Sequence, residues 1–463
     1  MQLRKGQTID LDITDMAFGG RGLARIDGLA VFVDQVAPMD RARVRIVRKR
    51  KRHAEARLLE LIAASPDRVD PPCPYSGTCG GCKWQFIEYA RQLQFKRRHV
   101  VESLEHIGGL KQVPVHPTIP SPQIFGYRNK MEFTCSDRRW LMPHELGKEE
   151  IPRDFALGLH VPGTFDKVLD IDACLLQPEA GNALLGDARR LIRDSGLPAY
   201  GIRKHTGFWR YLMLRHSVAA DRWMVNIVTA EQDDDLLRPM AQRILQQHPR
   251  VQAVVNNITS RKAGIAVGER EVPLAGQPVI CDKIGNYEFE ISANSFFQTN
   301  TAGARQLLEV TQRFAGLQGD ERLLDLYCGT GTITIGLSER VREAVGIEIV
   351  ASAVDDARRN CRRNSVSNCR FIHGDILQVL PGLPQQPDVV VIDPPRAGMH
   401  KKVVGRVLEL LPPRIIYVSC NPATLARDLE MMKERYRVAE VQPVDMFPHT
   451  FHIESVARLE RAA

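Results

Sequence analysis

Two side chains in the carboxy-terminal third are of the types that covalent chemistry requires. Cys420, in IIYVSCNP, follows directly on an apolar run, and Pro422 fixes the turn after it. A thiolate there can add to an electron-poor carbon. Glu454, in FPHTFHIESV, opens another apolar run, where a carboxylate in a dry pocket can be tuned to take a proton. A third acid, Asp393, begins the turn DPPRAG. The bland alternative for Cys420 is a packed core thiol, because free cysteine is among the most buried residue types. A free thiol ionises near pH ~8.5, so a nucleophilic Cys420 requires backbone amides or nearby cations that favour its thiolate.

These three residues need a scaffold, and the last 180 or so residues supply one. Apolar runs at 322 to 327, 344 to 349, 389 to 392 and 415 to 418 alternate with helical stretches, the pattern of a parallel α/β sheet. The first run leads into DLYCGTGTITIG, a strand, glycine turn and helix. Gly329 and Gly331 permit close approach of a ligand to backbone, but the full G-x-G-x-x-G spacing is absent, which disfavours a dinucleotide. Glu348 ends the second strand, where its carboxylate can accept both ribose hydroxyls of an adenosine, and Asp375, in HGD, can receive the adenine amine. Over roughly 285 to 463 the chain resembles the class I S-adenosylmethionine methyltransferases. That resemblance implies a seven-stranded Rossmann-like sheet with an antiparallel last strand.

A methyl donor beside a cysteine and a base suits one acceptor in particular. Uracil carbon 5 is a poor nucleophile until a thiolate adds to carbon 6 and makes an enolate, and the carbon 5 proton must afterwards be removed. Methyltransferases that act on an adenine or glutamine amine use a related Asp/Asn-Pro-Pro-aromatic turn, but the fourth residue here is Arg396, and an exocyclic amine leaves Cys420 and Glu454 without a task. Taken in order, FFQTN at 296 to 300, DLYCGTG, GIE, DPPRAG, SCNP and HIES resemble the RNA uracil-5-methyltransferase family over nearly the whole chain. The resemblance implies Cys420 as nucleophile and Glu454 as base. It also implies that Gln298, Tyr327, Thr332, Glu348, Asp375 and Asp393 line the cofactor site, although Thr332 stands where relatives often carry asparagine.

A second constellation lies upstream. Cys73, Cys79 and Cys82 form C-x5-C-x2-C, and Cys174 in DIDACLLQP can supply a fourth thiolate. Four thiolates suit zinc or an iron–sulfur cluster, and the spacing alone leaves both open. The ribosomal branch of the family carries this pattern with a [4Fe-4S] cluster and the transfer-RNA branch lacks it. The resemblance therefore implies a [4Fe-4S] cluster and 23S ribosomal RNA as substrate. The first gap is too long for the C-x3-C-x2-C of radical enzymes, so the cluster is expected to be a structural staple. Cys135, Cys281, Cys328, Cys361 and Cys369 lack partner spacing and are expected to be structural thiols.

The rest of the chain predicts a multidomain protein. Residues 1–62 show short strands with turn glycines and a basic stretch, a small OB-like β-barrel that the resemblance identifies as a TRAM domain. Between Arg41 and Arg57 nine Lys or Arg stand against one acid, and Arg41, Arg43 and Arg45 share one strand face, a candidate phosphate-tracking surface. Proline-rich residues 66 to 74 form a linker into an α+β central domain, 63–265, and the methyltransferase domain occupies 266–463. A basic amphipathic helix over about 88 to 110 can pack on the catalytic domain, and Lys96-Arg97-Arg98 and YRNK at 127 to 130 are candidate phosphate contacts. Phe125, Tyr127 and Trp209 are expected in the core rather than as base-stacking platforms.

The net charge of +8 favours an acidic partner such as RNA. No apolar run approaches the ~18 residues of a membrane span, and no cleavable hydrophobic segment opens the chain. The expectation is a cytoplasmic monomer. Transfer RNA is the alternative substrate, and an RNA-binding iron–sulfur sensor without catalysis is the rival class.

Overall fold

The computed structural model describes residues 3–262, 266–383 and 385–462. Six strands form the amino-terminal sheet: β1 (Thr8–Asp12), β2 (Asp15–Ala17), β3 (Arg21–Ile26), β4 (Leu29–Val33), β5 (Arg41–Lys49) and β6 (His53–Ala63), in the order β1-β5-β6-β4-β3-β2. In β5, Ala42, Val44 and Ile46 are buried while Arg41, Arg43 and Arg45 face solvent, the two-residue period of a half-buried strand. Part of that arginine face is neutralised internally. Arg43 donates to Asp10 at 2.8 Å and to Glu60 at 2.9 Å, and Arg41 lies 4.0 Å from Asp12. Arg45, in contrast, stands opposite Arg57 in the β5–β6 register, both exposed.

Helix α1 (Tyr89–His106) is followed by a second six-stranded sheet made of β7 (Lys130–Ser136), β8 (Ala156–Gly158), β9 (Trp209–Ser217), β10 (Arg222–Thr229), β11 (Val251–Ile258) and β12 (Arg270–Gly276). Helices α2 (Glu179–Asp194) and α3 (Asp234–Gln247) share a core with it. Because β12 pairs with β11, this domain runs past the expected boundary at 265; Val272 and Leu274 belong to its core. A hairpin of β13 (Ile280–Ile284) and β14 (Tyr287–Ile291) leads into the last domain.

The catalytic sheet has seven strands: β15 (Arg322–Leu326), β16 (Glu343–Glu348), β17 (Cys369–His373), β18 (Val389–Ile392), β19 (Arg414–Ser419), β20 (Tyr436–Val444) and β21 (Glu454–Arg461). Their order is β17-β16-β15-β18-β19-β21-β20, and β21 runs antiparallel to both neighbours. The helices are α4 (Thr301–Ala315), α5 (Thr332–Gly336), α6 (Ala351–Arg363), α7 (Ile376–Val379), α8 (Lys401–Leu410) and α9 (Pro422–Met432). Both sheet faces are covered, so β18 and β19 read as unbroken apolar runs.

Helix α1 packs against α9; within its basic triplet Lys96 points inward, Arg97 is exposed and Arg98 is half-buried. Lys96 is fully buried and donates to Asp445 at 2.6 Å, Arg97 donates to the Val115 carbonyl, and Arg98 is paired with Asp15. Lys96 is thus a joint between domains and not a phosphate contact, whereas Arg97 stays at the surface. In YRNK, Tyr127 is buried and donates to the Pro448 carbonyl and Asn129 donates to the Gln298 carbonyl at 2.8 Å, while Arg128 and Lys130 are half-buried and line a large cavity. Trp209 is buried in the central core, and Phe125 stacks on His449 with centroids 4.4 Å apart. No helix among the described residues is long and apolar enough to cross a membrane.

Candidate active site

The carboxyl edge of the catalytic sheet opens into a cavity of about 1280 Å³. Residue types at strand ends decide what faces it. Cys420 follows β19 and Glu454 begins β21, and the antiparallel register that pairs Ser419 with Ser455 sets Cys420 against Glu454. Asp393 follows β18, the next strand over. All three line the cavity, as does Arg396.

The SCNP turn is rigid for local reasons. Asn421 caps α9, its side-chain oxygen accepting from the Ala423 amide at 3.0 Å, with Pro422 at the first helical position. Asn421 Nδ2 and Thr424 Oγ1 also donate to the Arg396 carbonyl, tying the turn to DPPR.

Electrostatics depart from the sequence expectation. Burial raises the Cys420 thiol to about 11, and the negative charge of Glu454 adds to this, while Arg396 only partly opposes it. The thiol therefore rests protonated, because the loop offers too little positive field to offset desolvation. Burial lifts Asp393 to about 7 and, together with Asp393, pushes Glu454 well above the usual carboxylate range. Two acids in one dry pocket resist ionising together, and each gains affinity for a proton.

The opposite lobe of the cavity is shaped for an adenosine. Gly329 and Gly331 have φ of +54° and +82°, and a Cβ on Gly331 would meet Phe371 Cζ at 2.9 Å. Tyr327 also sits at positive φ, 65°, uncommon for a bulky residue, as the chain leaves β15. Glu348 accepts the Gly329 amide on one oxygen and the Val350 amide on the other, which fixes its carboxylate at the cavity wall. Ile349 and Phe296 are 63% and 66% exposed and line the same space, an apolar surface available to a planar ring. Gln298 lines it too, held by Asn129.

Of the eight predicted catalytic and cofactor residues, Cys420, Glu454, Gln298, Tyr327, Glu348 and Asp393 meet at the cavity. Thr332 and Asp375 are not among its lining residues. Thr332 is the first residue of α5, beyond the glycine turn, and Asp375 spends one carboxylate oxygen capping α7 through the Leu377 amide at 2.8 Å. Sequence reasoning missed Ile349, Phe296 and His452; the last two stand inside the quoted FFQTN and HIES motifs, so their signal was present.

The four upstream cysteines line the same cavity. Burial is the largest cause raising each thiol, Cys79 to about 11 and Cys82 to about 12, and each of these two also feels Cys73 and Cys174. Among the described residues, however, no three His, Cys, Asp or Glu side chains form a group that could hold a single metal ion. The thiols are gathered but not closed around one point.

Comparison with known proteins decides the family. The tRNA (Uracil-5-)-methyltransferase family profile matches residues 217–375 and 385–462, and the TRAM domain profile matches 2–59. The chain belongs to the RNA uracil-5-methyltransferase family. An uncharacterised RNA methyltransferase of Chlorobaculum tepidum is 43% identical over 473 residues, covering 100% of this chain and 98% of that one. One from Porphyromonas gingivalis is 39% identical, covering 97% and 99%. The solved tRNA (uracil-54, C5)-methyltransferase of Pyrococcus abyssi, in complex with S-adenosyl-L-homocysteine, superposes with a TM-score of 0.77 at 30% identity, covering 97% of this chain and 100% of that one. This family member is an S-adenosylmethionine-dependent RNA methyltransferase with an RNA-binding TRAM domain.

Proposed function

We propose that the chain methylates carbon 5 of a uridine in 23S ribosomal RNA, with Cys420 as a transient covalent handle on the base. The observation that carries this reading is the register that sets Cys420 against Glu454 at a cavity also walled by the glycine turn and Glu348. In the small fraction of molecules whose Cys420 has lost its proton to solvent, the thiolate adds to uracil carbon 6, and the electron pair of the 5,6 double bond moves toward O4 as an enolate. Carbon 5 then takes the sulfonium methyl as the sulfur–methyl bond breaks and S-adenosylhomocysteine leaves as a neutral thioether. Glu454 removes the carbon 5 proton, the double bond re-forms, and the carbon–sulfur bond breaks to release the thiolate. A carboxylate whose proton affinity is raised by burial suits that abstraction. Asp393, between the two lobes, can hold the uracil edge.

Cys73, Cys79, Cys82 and Cys174 fit a [4Fe-4S] cluster better than a zinc ion. That preference rests on their spacing and on the family pattern; the four thiols line one cavity, and among the described residues no three such side chains form a group for a single ion. The cluster would supply a cross-link between residues 73–82 and Cys174, and no step of the reaction runs through it.

Transfer RNA is the second reading, favoured by the similarity to the Pyrococcus abyssi enzyme. Unmodified transcripts of 23S ribosomal RNA and transfer RNA, incubated with labelled S-adenosylmethionine and mapped for 5-methyluridine, separate the two. Label in transfer RNA alone replaces the ribosomal reading, and label in neither leaves an RNA-binding protein without catalysis.

A further inference from the structure

Glu454 is presented by the loop from Asp445 to Ile453, which joins β20 to β21. That loop is held from outside its own domain. The Lys83 and Trp84 amides, directly after Cys82, both donate to the His449 carbonyl, at 2.9 and 3.0 Å. Gln92 of α1, fully buried, completes the attachment. Its Oε1 accepts the His449 amide at 2.9 Å, and its Nε2 donates to the Trp84 carbonyl at 3.0 Å and the Ile87 carbonyl at 2.8 Å. His449 therefore has both backbone groups engaged while it sits at φ 64°, a conformation a non-glycine residue keeps only when its surroundings impose it.

We propose that Gln92 is a positioning residue for Glu454, a latch that binds the base-bearing loop to Lys83 and Trp84, the residues directly after Cys82. Gln92 is absent from the residues lining the cavity, so it acts through His449 and the loop. The inference rests on the covalent reading above. Glu454 works only after the methyl has been transferred, so a slack loop should slow breakdown of the methylated adduct more than its formation. A misplacement of about 1 Å can cost on the order of 10²-fold in rate.

The test is single-turnover methylation by the full-length protein as purified, following the covalent RNA–protein band on denaturing gels. Gln92→Met keeps side-chain length and removes every hydrogen bond. Its adduct should decay at least about tenfold more slowly than in the wild type, with adduct formation and S-adenosylmethionine affinity within about twofold. Gln92→Glu keeps the acceptor for the His449 amide and should recover part of the rate. If Gln92→Met fails to fold, Gln92→Glu decides alone, by an adduct that outlasts the wild-type one. Wild-type decay in the folded variants overturns the latch, as does equal slowing of formation and decay. Glu454→Gln run alongside separates the two ideas. No adduct there removes the covalent reading, whereas a trapped adduct there with wild-type decay in the Gln92 variants removes only the latch.

Discussion

The ionisation of Cys420 links this structure to its chemistry most directly. Burial, the Glu454 carboxylate and Asp393 together lift the thiol to about 11. At pH 8 about one thiol in a thousand is then ionised, against about one in four for a free thiol. Iodoacetamide reacts with the thiolate, so in RNA-free protein Cys420 should alkylate about two-hundredfold more slowly at pH 8 than a free thiol. The rate should climb about tenfold per pH unit up to about pH 11. Peptide mass spectrometry after timed alkylation reads this for Cys420 alone. Two variants fix the cause. Glu454→Gln removes a negative charge that opposes the thiolate, so its midpoint should move down. Arg396→Gln removes the cation that favours it, so its midpoint should move up. A profile already flat by pH 9, or a Glu454→Gln midpoint that rises, would refute the argument.

Other consequences follow from the same geometry. Cys420→Ala should abolish methyl transfer while calorimetry shows S-adenosylmethionine binding unchanged, because the adenosine lobe lies across the cavity; residual turnover above background contradicts this. Glu454→Gln should accumulate a methylated covalent RNA adduct, visible as a shifted band on a denaturing gel. Cys79→Ser should lose iron and folding stability together, so a stable, iron-free and fully active variant would contradict the staple. Lys96→Met leaves Asp445 buried without its cation and should cost about 3–5 kcal/mol in urea unfolding. Gly331→Ala forces a methyl against Phe371 at an unfavourable φ, so S-adenosylmethionine affinity should fall in calorimetry while the barrel and central domain keep their unfolding midpoint.

The sequence by itself determined the parts that depend on local pattern. Buried parallel strands announce themselves as unbroken apolar runs, and the alternation in β5 follows from the pleat, so the α/β domain and the arginine face were legible. Motif order likewise placed Cys420 and Glu348 at one sheet edge, where parallel strands end, and Glu454 reaches the same edge because the antiparallel β21 starts there. The reach of the central domain was not legible: β12 joins β11 across more than ten residues, a pairing no local signal encodes.

Charge was the quantity that only tertiary structure decided. Lys96 read as part of a basic surface, yet the fold buries it against Asp445. Cys420 read as a thiol awaiting activation, yet burial beside two acids keeps its proton on. A side chain's charge state depends on what lies within a few ångströms in space. For Cys420 those neighbours, Asp393, Arg396 and Glu454, arrive from two other strand ends, and only the register of β18, β19 and β21 brings them together.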